Sequence, residues 1–189
     1  MSTIYRKSLE YAIDKAEKPL ESAVEIGVFQ GGNSLSLVTI ESIIELYLVD
    51  PYKIYSQYES KTLVYNQEQM NEALVIMRNR MLDYMDRVTV IIQESVRASF
   101  IFQENYFDYI YIDGNHSYQD AMDDMRAWYS KVKPGGFLAG HDYATKATAQ
   151  AVELFAKEKG LKVTTWCRPG EINIADNMKD WIVQKPEEK

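Results

Sequence analysis

The chain has 189 residues, 46% of them hydrophobic, which suits one domain with a real core. A formal net charge of -7 and a pI near 5.0 exclude the clustered Lys and Arg that phosphate contacts need, so no nucleic-acid partner is expected. There is no run of about 18 apolar residues and no signal-peptide pattern, and the lone Cys167 excludes an intrachain disulfide, so a cytoplasmic protein without a membrane partner is expected.

In chain order, Ile4 to Glu17 predicts a helix that ends before Pro19. Ser22 to Gly27 is a short apolar run closed by glycine, a buried strand. Asn33 to Ile44, rich in Leu, Val and Ile, predicts a helix, and Leu46 to Asp50 a second buried strand closed by Asp50-Pro51. Residues 52–87 form a longer connection, mostly helical. Its tyrosines at 52, 55, 58 and 65 either pack on the sheet or form a lid over an aromatic or sugar acceptor. Val88 to Ile92 and Tyr109 to Asp113 are the third and fourth strands.

Gln119 to Val132 places Met122, Met125, Trp128 and Val132 at helical spacing, with Asp120, Asp123, Asp124 and Arg126 on the other faces. Pro134-Gly135-Gly136 reads as a turn and Phe137 to Gly140 as a fifth strand. Ala147 to Lys159 is a helix capped by Gly160. Leu161 to Trp166 and Trp181 to Gln184 supply two late strands joined by a Pro169-Gly170 turn, a hairpin at the sheet edge. Strands alternating with helices imply right-handed crossovers. The expected fold is α/β and Rossmann-like, a single domain over 1–189. Helices cover both faces of a doubly wound, mostly parallel seven-stranded sheet with an antiparallel edge hairpin. Ligands bind such sheets at the carboxyl ends of the strands, near the switch point.

Two groups of residues fall at those ends. After the first strand come Glu25, Gly27, Gly31 and Gly32, then Asn33 and Ser34 as candidate caps of the next helix. The spacing Gly-x-x-x-Gly-Gly is not the Gly-x-Gly-x-x-Gly that holds a pyrophosphate. Glu25 would repel a pyrophosphate and suit a sulfonium or ammonium cation. Asp50 ends the second strand, 23 positions after Gly27, where a carboxylate can accept both ribose hydroxyls. Gln93, Glu94 and Ser95, after the third strand, would lie near an adenine edge or simply start a helix.

The second group holds both histidines of the chain. His116 lies three residues beyond Asp113, and His141-Asp142 follow strand five. If these strand ends are close, the four residues can bind a divalent cation or supply a general base.

Phe107 to Tyr118, then Asp124, Trp128, Lys133-Pro134-Gly135-Gly136 and Ala139-Gly140-His141-Asp142-Tyr143, resemble the class I S-adenosylmethionine-dependent methyltransferases with an Ile112-Asp113-Gly114-x-His116-x-Tyr118 motif and a Gly140-His141-Asp142-Tyr143 motif. That family is related to the catechol and caffeoyl-CoA type O-methyltransferases, and the resemblance covers roughly residues 20–185. It implies that Glu25, Gly27 and Gly31 flank the methionine end of S-adenosylmethionine, that Asp50 holds the ribose, and that Glu94 and Ser95 border the adenine. It also implies a metal set of Asp113, His141 and Asp142, and a base at His116, where the catechol enzymes carry a lysine. Metal-dependent relatives carry Asp-Asn or Asp-Asp where this chain has His141-Asp142; imidazole suits zinc, iron or nickel better than magnesium. The implied activity is O-methylation of a small-molecule hydroxyl, assisted by a divalent metal. The chain is compact, with about 20 residues before the first strand, which leaves room for a homodimer partner to complete the acceptor pocket. Two alternatives stay open: a nicotinamide-dependent oxidoreductase, against which the glycine spacing and Glu25 weigh, and a non-catalytic S-adenosylmethionine-binding partner subunit.

Overall fold

The structure, a computed structural model, describes residues 5–54, 65–171 and 173–187. Seven strands form one sheet: β1 (Ser22–Ile26), β2 (Glu45–Val49), β3 (Val88–Ile91), β4 (Phe107–Ile112), β5 (Val132–Gly140), β6 (Thr164–Thr165) and β7 (Trp181–Gln184). The helices are α1 (Lys7–Lys15), α2 (Gly32–Val38), α3 (Gln67–Met81), α4 (Ser95–Ser99), α5 (Tyr118–Tyr129) and α6 (Lys146–Lys159), with 3-10 turns at 82–84 and 176–178. The strand order is β3-β2-β1-β4-β5-β7-β6. β3, β2, β1, β4 and β5 run parallel, while β7 lies antiparallel between β5 and β6.

Strand side chains alternate between two faces, and the sequence uses the alternation to build two cores. Val24, Ile26, Ile110, Ile112 and Leu138 face α4, α5 and α6, where Met122, Met125, Trp128, Val152 and Phe155 meet them. Ala23, Leu48, Tyr109, Tyr111 and Ala139 face α1, α2 and α3 with Leu9, Leu37, Met70 and Met77. Trp128 is fully buried, and truncating it to Ala should cost about 3–5 kcal/mol of stability. The α1 side also holds a buried polar knot. Asp180 accepts hydrogen bonds from the Ser8 amide (3.1 Å), the Ser8 hydroxyl (2.6 Å) and the Tyr111 hydroxyl (3.0 Å), and the Tyr109 hydroxyl lies 2.9 Å from Ser8 Oγ.

Several elements depart from the sequence expectation. α2 ends at Val38 rather than Ile44, because the Arg87 guanidinium takes up the carbonyls of Val38, Ile40 and Ile43 and holds the chain in a turn. Pro134-Gly135-Gly136 lies inside β5 as an irregularity of the β4–β5 register, with Gly135 at φ 77°. β6 shrinks to two residues. β6 and β7 do pair antiparallel at the edge, but a long connection through the 176–178 turn joins them in place of a tight Pro169-Gly170 turn. Of the four tyrosines, Tyr52 is buried and donates its hydroxyl to the Phe29 carbonyl (2.8 Å), and Tyr65 stands against the Phe29 ring; Tyr55 and Tyr58 lie outside the described residues. Among the described residues no helix is long and apolar enough to cross a membrane.

Candidate functional site

Strand order reverses between β1 and β4, and a cleft of about 600 Å³ opens there at the carboxyl ends of the strands. Backbone hydrogen bonds continue one residue past the strands: Gly27 N–H to Val49 O, Asp113 N–H to Ile26 O and His141 N–H to Ile112 O. The strand ends are thereby held in register. Gly27 sits at φ 81°, and a Cβ there would lie 2.1 Å from the Asp113 carbonyl oxygen, so only glycine fits.

Asp50 shapes the glycine loop from the β2 end. One carboxylate oxygen accepts from the Val28 and Phe29 amides (2.9 Å each) and the other from the Tyr52 amide (2.8 Å). A carboxylate offers about four lone-pair sites, so three are taken and one is left.

Glu25 is buried on β1, accepting from Asn33 Nδ2 (3.3 Å) and from the Ser34 hydroxyl. Burial pushes its pKa up to about 8, with the field of Asp113 adding to the rise and the Ser34 and Asn33 hydrogen bonds opposing it. Burial thus favours the protonated carboxyl. A cationic ligand would draw the charge out. Asn33 Oδ1 is buried with no hydrogen-bond partner, an acceptor beside Glu25. That orphan and the carboxyl together fit the ammonium group of an S-adenosylmethionine molecule.

The other half of the site gathers at β4 and β5. Asp113, His141 and Asp142 each offer one ligand atom, all within 4.8 Å of one another. His141 Nδ1 lies 3.1 Å from Asp142 Oδ2 and 3.6 Å from Asp113 Oδ1. Its Nε2 lies 3.0 Å from the Asp176 carbonyl oxygen. A proton on Nε2 donated to that carbonyl leaves Nδ1 as the ligand nitrogen, so the donor set fits a divalent cation. His116 Nδ1 stands 3.0 Å from Asp142 Oδ2.

The charges here are strongly coupled. Burial lifts the Asp113 carboxyl to about 6, against the pull of His141. Burial also disfavours a charged His141, but hydrogen bonds to Asp142 and Asp176 and the field of Asp113 outweigh it and raise the imidazole to about 10. A metal must displace that proton, so cation and proton compete for Nδ1. Asp142 holds φ 58°, a strained value for a non-glycine residue, which turns its carboxylate between the two histidines.

Most of the sequence candidates meet in the cleft: Glu25, Gly27, Asn33, Asp50, Glu94, Ser95, Asp113 and His116 line it. Gly31, Ser34, His141 and Asp142 do not; the last two lie behind Asp113 and His116, within reach of them. Of the first two, Gly31 caps α2 at φ 73° against Met77, and Ser34 is buried under Glu25, so both act as supports. Arg6 escaped the sequence reading. It lines the cleft, pairs with Asp176 (2.7 Å) and stands 3.8 Å from Asp113. No local motif marks Arg6 or Asp176; only the path of α1 and of the β6–β7 connection brings them to the site.

Residues 24–143 match the family described as Methyltransferase domain. An uncharacterized protein of Acanthamoeba polyphaga mimivirus is 28% identical over 138 residues, 71% of this chain, and the chain spans only 57% of that relative's length. Among solved structures, a SAM-dependent O-methyltransferase from Thermotoga maritima superposes with a TM-score of 0.66 at 15% identity, covering 100% of this chain and 68% of that one. A Streptococcus mutans protein in complex with SAH gives 0.64 at 14% identity, covering 96% and 99%. A spermidine synthase from Thermotoga maritima gives 0.58 at 14%, covering 94% and 60%. These structural likenesses establish the fold. With the family match over residues 24–143, they identify the chain as a member of the class I S-adenosylmethionine-dependent methyltransferases.

Proposed function

We propose that this methyltransferase transfers the methyl group to the hydroxyl of a small molecule, a sugar, a phenol or another metabolite, with His116 as the base and a divalent cation held by Asp113, His141 and Asp142. The observation that carries this reading is the convergence of both histidines, Asp113 and Asp142 at the β4 and β5 ends, where Asp113 and His116 line the cleft and His116 stands 3.0 Å from Asp142.

S-adenosylmethionine, when bound, supplies an electrophilic methyl on a sulfonium whose departure leaves a neutral thioether. The protein's task is then to position the acceptor in line and to take its proton. Glu25 and Asn33 hold the ammonium end, the Gly27 turn lets the ligand approach the backbone, and Asp50 accepts a ribose hydroxyl. With His116 Nδ1 turned to Asp142, its Nε2 is left to receive the acceptor proton, and Asp142 stabilises the imidazolium that forms. A cation at Asp113, His141 and Asp142 would lower the pKa of the acceptor hydroxyl.

The test is methyl transfer from labelled S-adenosylmethionine to a panel of phenols, sugars and amines, after chelation and with magnesium, manganese, zinc or nickel restored. Activity on hydroxyl acceptors that vanishes on chelation and returns with one cation supports the reading. Full activity in the stripped enzyme removes the cation, and turnover of amines alone removes O-methylation.

A further inference from the structure

α5 carries a buried acid that the chemistry above does not use. Asp124 is only 6% exposed, yet it lines the cleft. Among the described residues it forms no ion pair with a basic side chain. Burial pushes its carboxyl up to about 7; a Ser95 hydrogen bond opposes the rise, and Asp120 and Asp123 add to it. A carboxyl kept in such a place without a cation costs stability unless a ligand uses it.

Its neighbours define which part of the ligand it meets. Across the carboxyl edge the sheet runs β3, β2, β1, β4, β5, so a ligand with its ammonium at Glu25 and its ribose at Asp50 extends its base toward the β3 end. On the side of the cleft where α4 and α5 meet through the Trp128–Ser95 bond, the wall is Glu94, Ser95 and Val96 from β3–α4, Gly114 after β4, and Asp124 from α5. Trp128 Nε1 donates to Ser95 Oγ (2.9 Å), which leaves the Ser95 hydroxyl proton to turn to Asp124. Val96 offers no polar group. Glu94 is half exposed and faces Arg97 at 3.6 Å, and Asp120 is occupied by Asn115 and Ser117 (2.6 Å each). Gly114 leaves room over Asp124: a Cβ there would lie 3.3 Å from Asp124 Oδ2.

We propose that Asp124, held by Ser95, is the residue that reads the base of the methyl donor, accepting a hydrogen bond from the exocyclic amino group of adenine. This rests on the assignment of S-adenosylmethionine to the cleft. Asp124 is thus a specificity residue, placed on a different element from the strand-end residues that hold the rest of the nucleoside. A carboxylate oxygen accepts from an amino group and repels the lone pairs of a 6-oxo group, so adenine is selected over its deaminated counterpart.

The experiment is calorimetric titration of the wild type, Asp124→Asn and Asp124→Leu with S-adenosylhomocysteine and with S-inosylhomocysteine, which differs only at the base edge. Thermal melts of each variant accompany it. The wild type should bind the adenosyl ligand at least about tenfold more tightly. Asp124→Asn, whose amide can turn its N–H toward a 6-oxo group, should bring the two affinities close together. Asp124→Leu should lose the preference while keeping a normal melt, because a buried uncompensated acid is replaced by an apolar group. An unchanged preference in both variants, or equal binding of the two ligands by the wild type, overturns the proposal. Equal loss of both ligands together with a lowered melt assigns Asp124 to structure and overturns it too. Failure of the wild type to bind S-adenosylhomocysteine at all is a different result: it strikes the cofactor assignment itself, and this proposal falls with it.

Discussion

The two halves of the cleft are built by different means. At β1 and β2 the working parts are backbone and its hydrogen bonds: a glycine that admits no Cβ, and an Asp50 whose oxygens hold three amides. At β4 and β5 the working parts are side chains crowded together, with Asp113 raised to about 6 and His141 to about 10. The first half is a mould of backbone amides around a glycine turn. The second is a charge cluster whose protonation changes with what enters it. Binding and chemistry are therefore separable by mutation.

The strongest test of that separation is His116→Ala. It should lower kcat by about 10²–10⁴-fold, the usual contribution of a positioned base, while the affinity for S-adenosylhomocysteine measured by calorimetry stays unchanged. A parallel loss of both would show that the halves are not independent.

Glu25 crosses the boundary, since its environment includes Ser34 and Asn33 as donors, Asp113 as a like charge and Arg6 as an opposing one. Its ordinary value is 4.5 and its folded value about 8, so between these the folded chain keeps a proton that the unfolded chain has released. Stability must fall as pH rises through that window, by up to about 1.4 kcal/mol per pH unit from this group. In urea denaturation from pH 5 to 8.5, Glu25→Gln should flatten the fall. A wild-type profile that rises with pH through this range, unchanged in the variant, would contradict the neutral Glu25.

Asp50→Asn tests the mould. With its oxygen kept toward the Val28 and Phe29 amides, its NH2 faces the Tyr52 amide, at a cost of about 1–3 kcal/mol, and the change should raise the Kd for S-adenosylhomocysteine while kcat at saturation is kept. Arg6→Met tests the cluster, with the smallest effect. Removing a cation 3.8 Å from Asp113 should tighten manganese binding by about fivefold in a calorimetric titration, since the lost repulsion is partly screened.

How legible the molecule was from its residues follows the same division. The mould was readable because its signals are local: glycines at a strand end and Asp50-Pro51. His116, Asp113, His141 and Asp142 could be placed on strand ends, since the alternation of strands and helices fixes which ends share an edge. Three things were hidden. The end of α2 depends on Arg87, dozens of residues away. Arg6 and Asp176 reach the site only through tertiary packing. The occupancy of Asp50 by amides depends on loop φ values, and Phe29 at 49° and Tyr52 at 47° are not written in side-chain pattern.

The knot around Asp180 also sets a timetable. Ser8 and Asp180 are 172 residues apart in sequence, and Arg6 reaches Asp176 over 170. At translation rates of about 5–20 residues per second, α1 leaves the ribosome roughly ten to thirty-five seconds before its partners exist. Until then Tyr109 and Tyr111 have no acid to satisfy, and Arg6 has no loop to clasp. The Asp180 knot and the Arg6–Asp176 clasp therefore close only after the glycine mould upstream has had time to form.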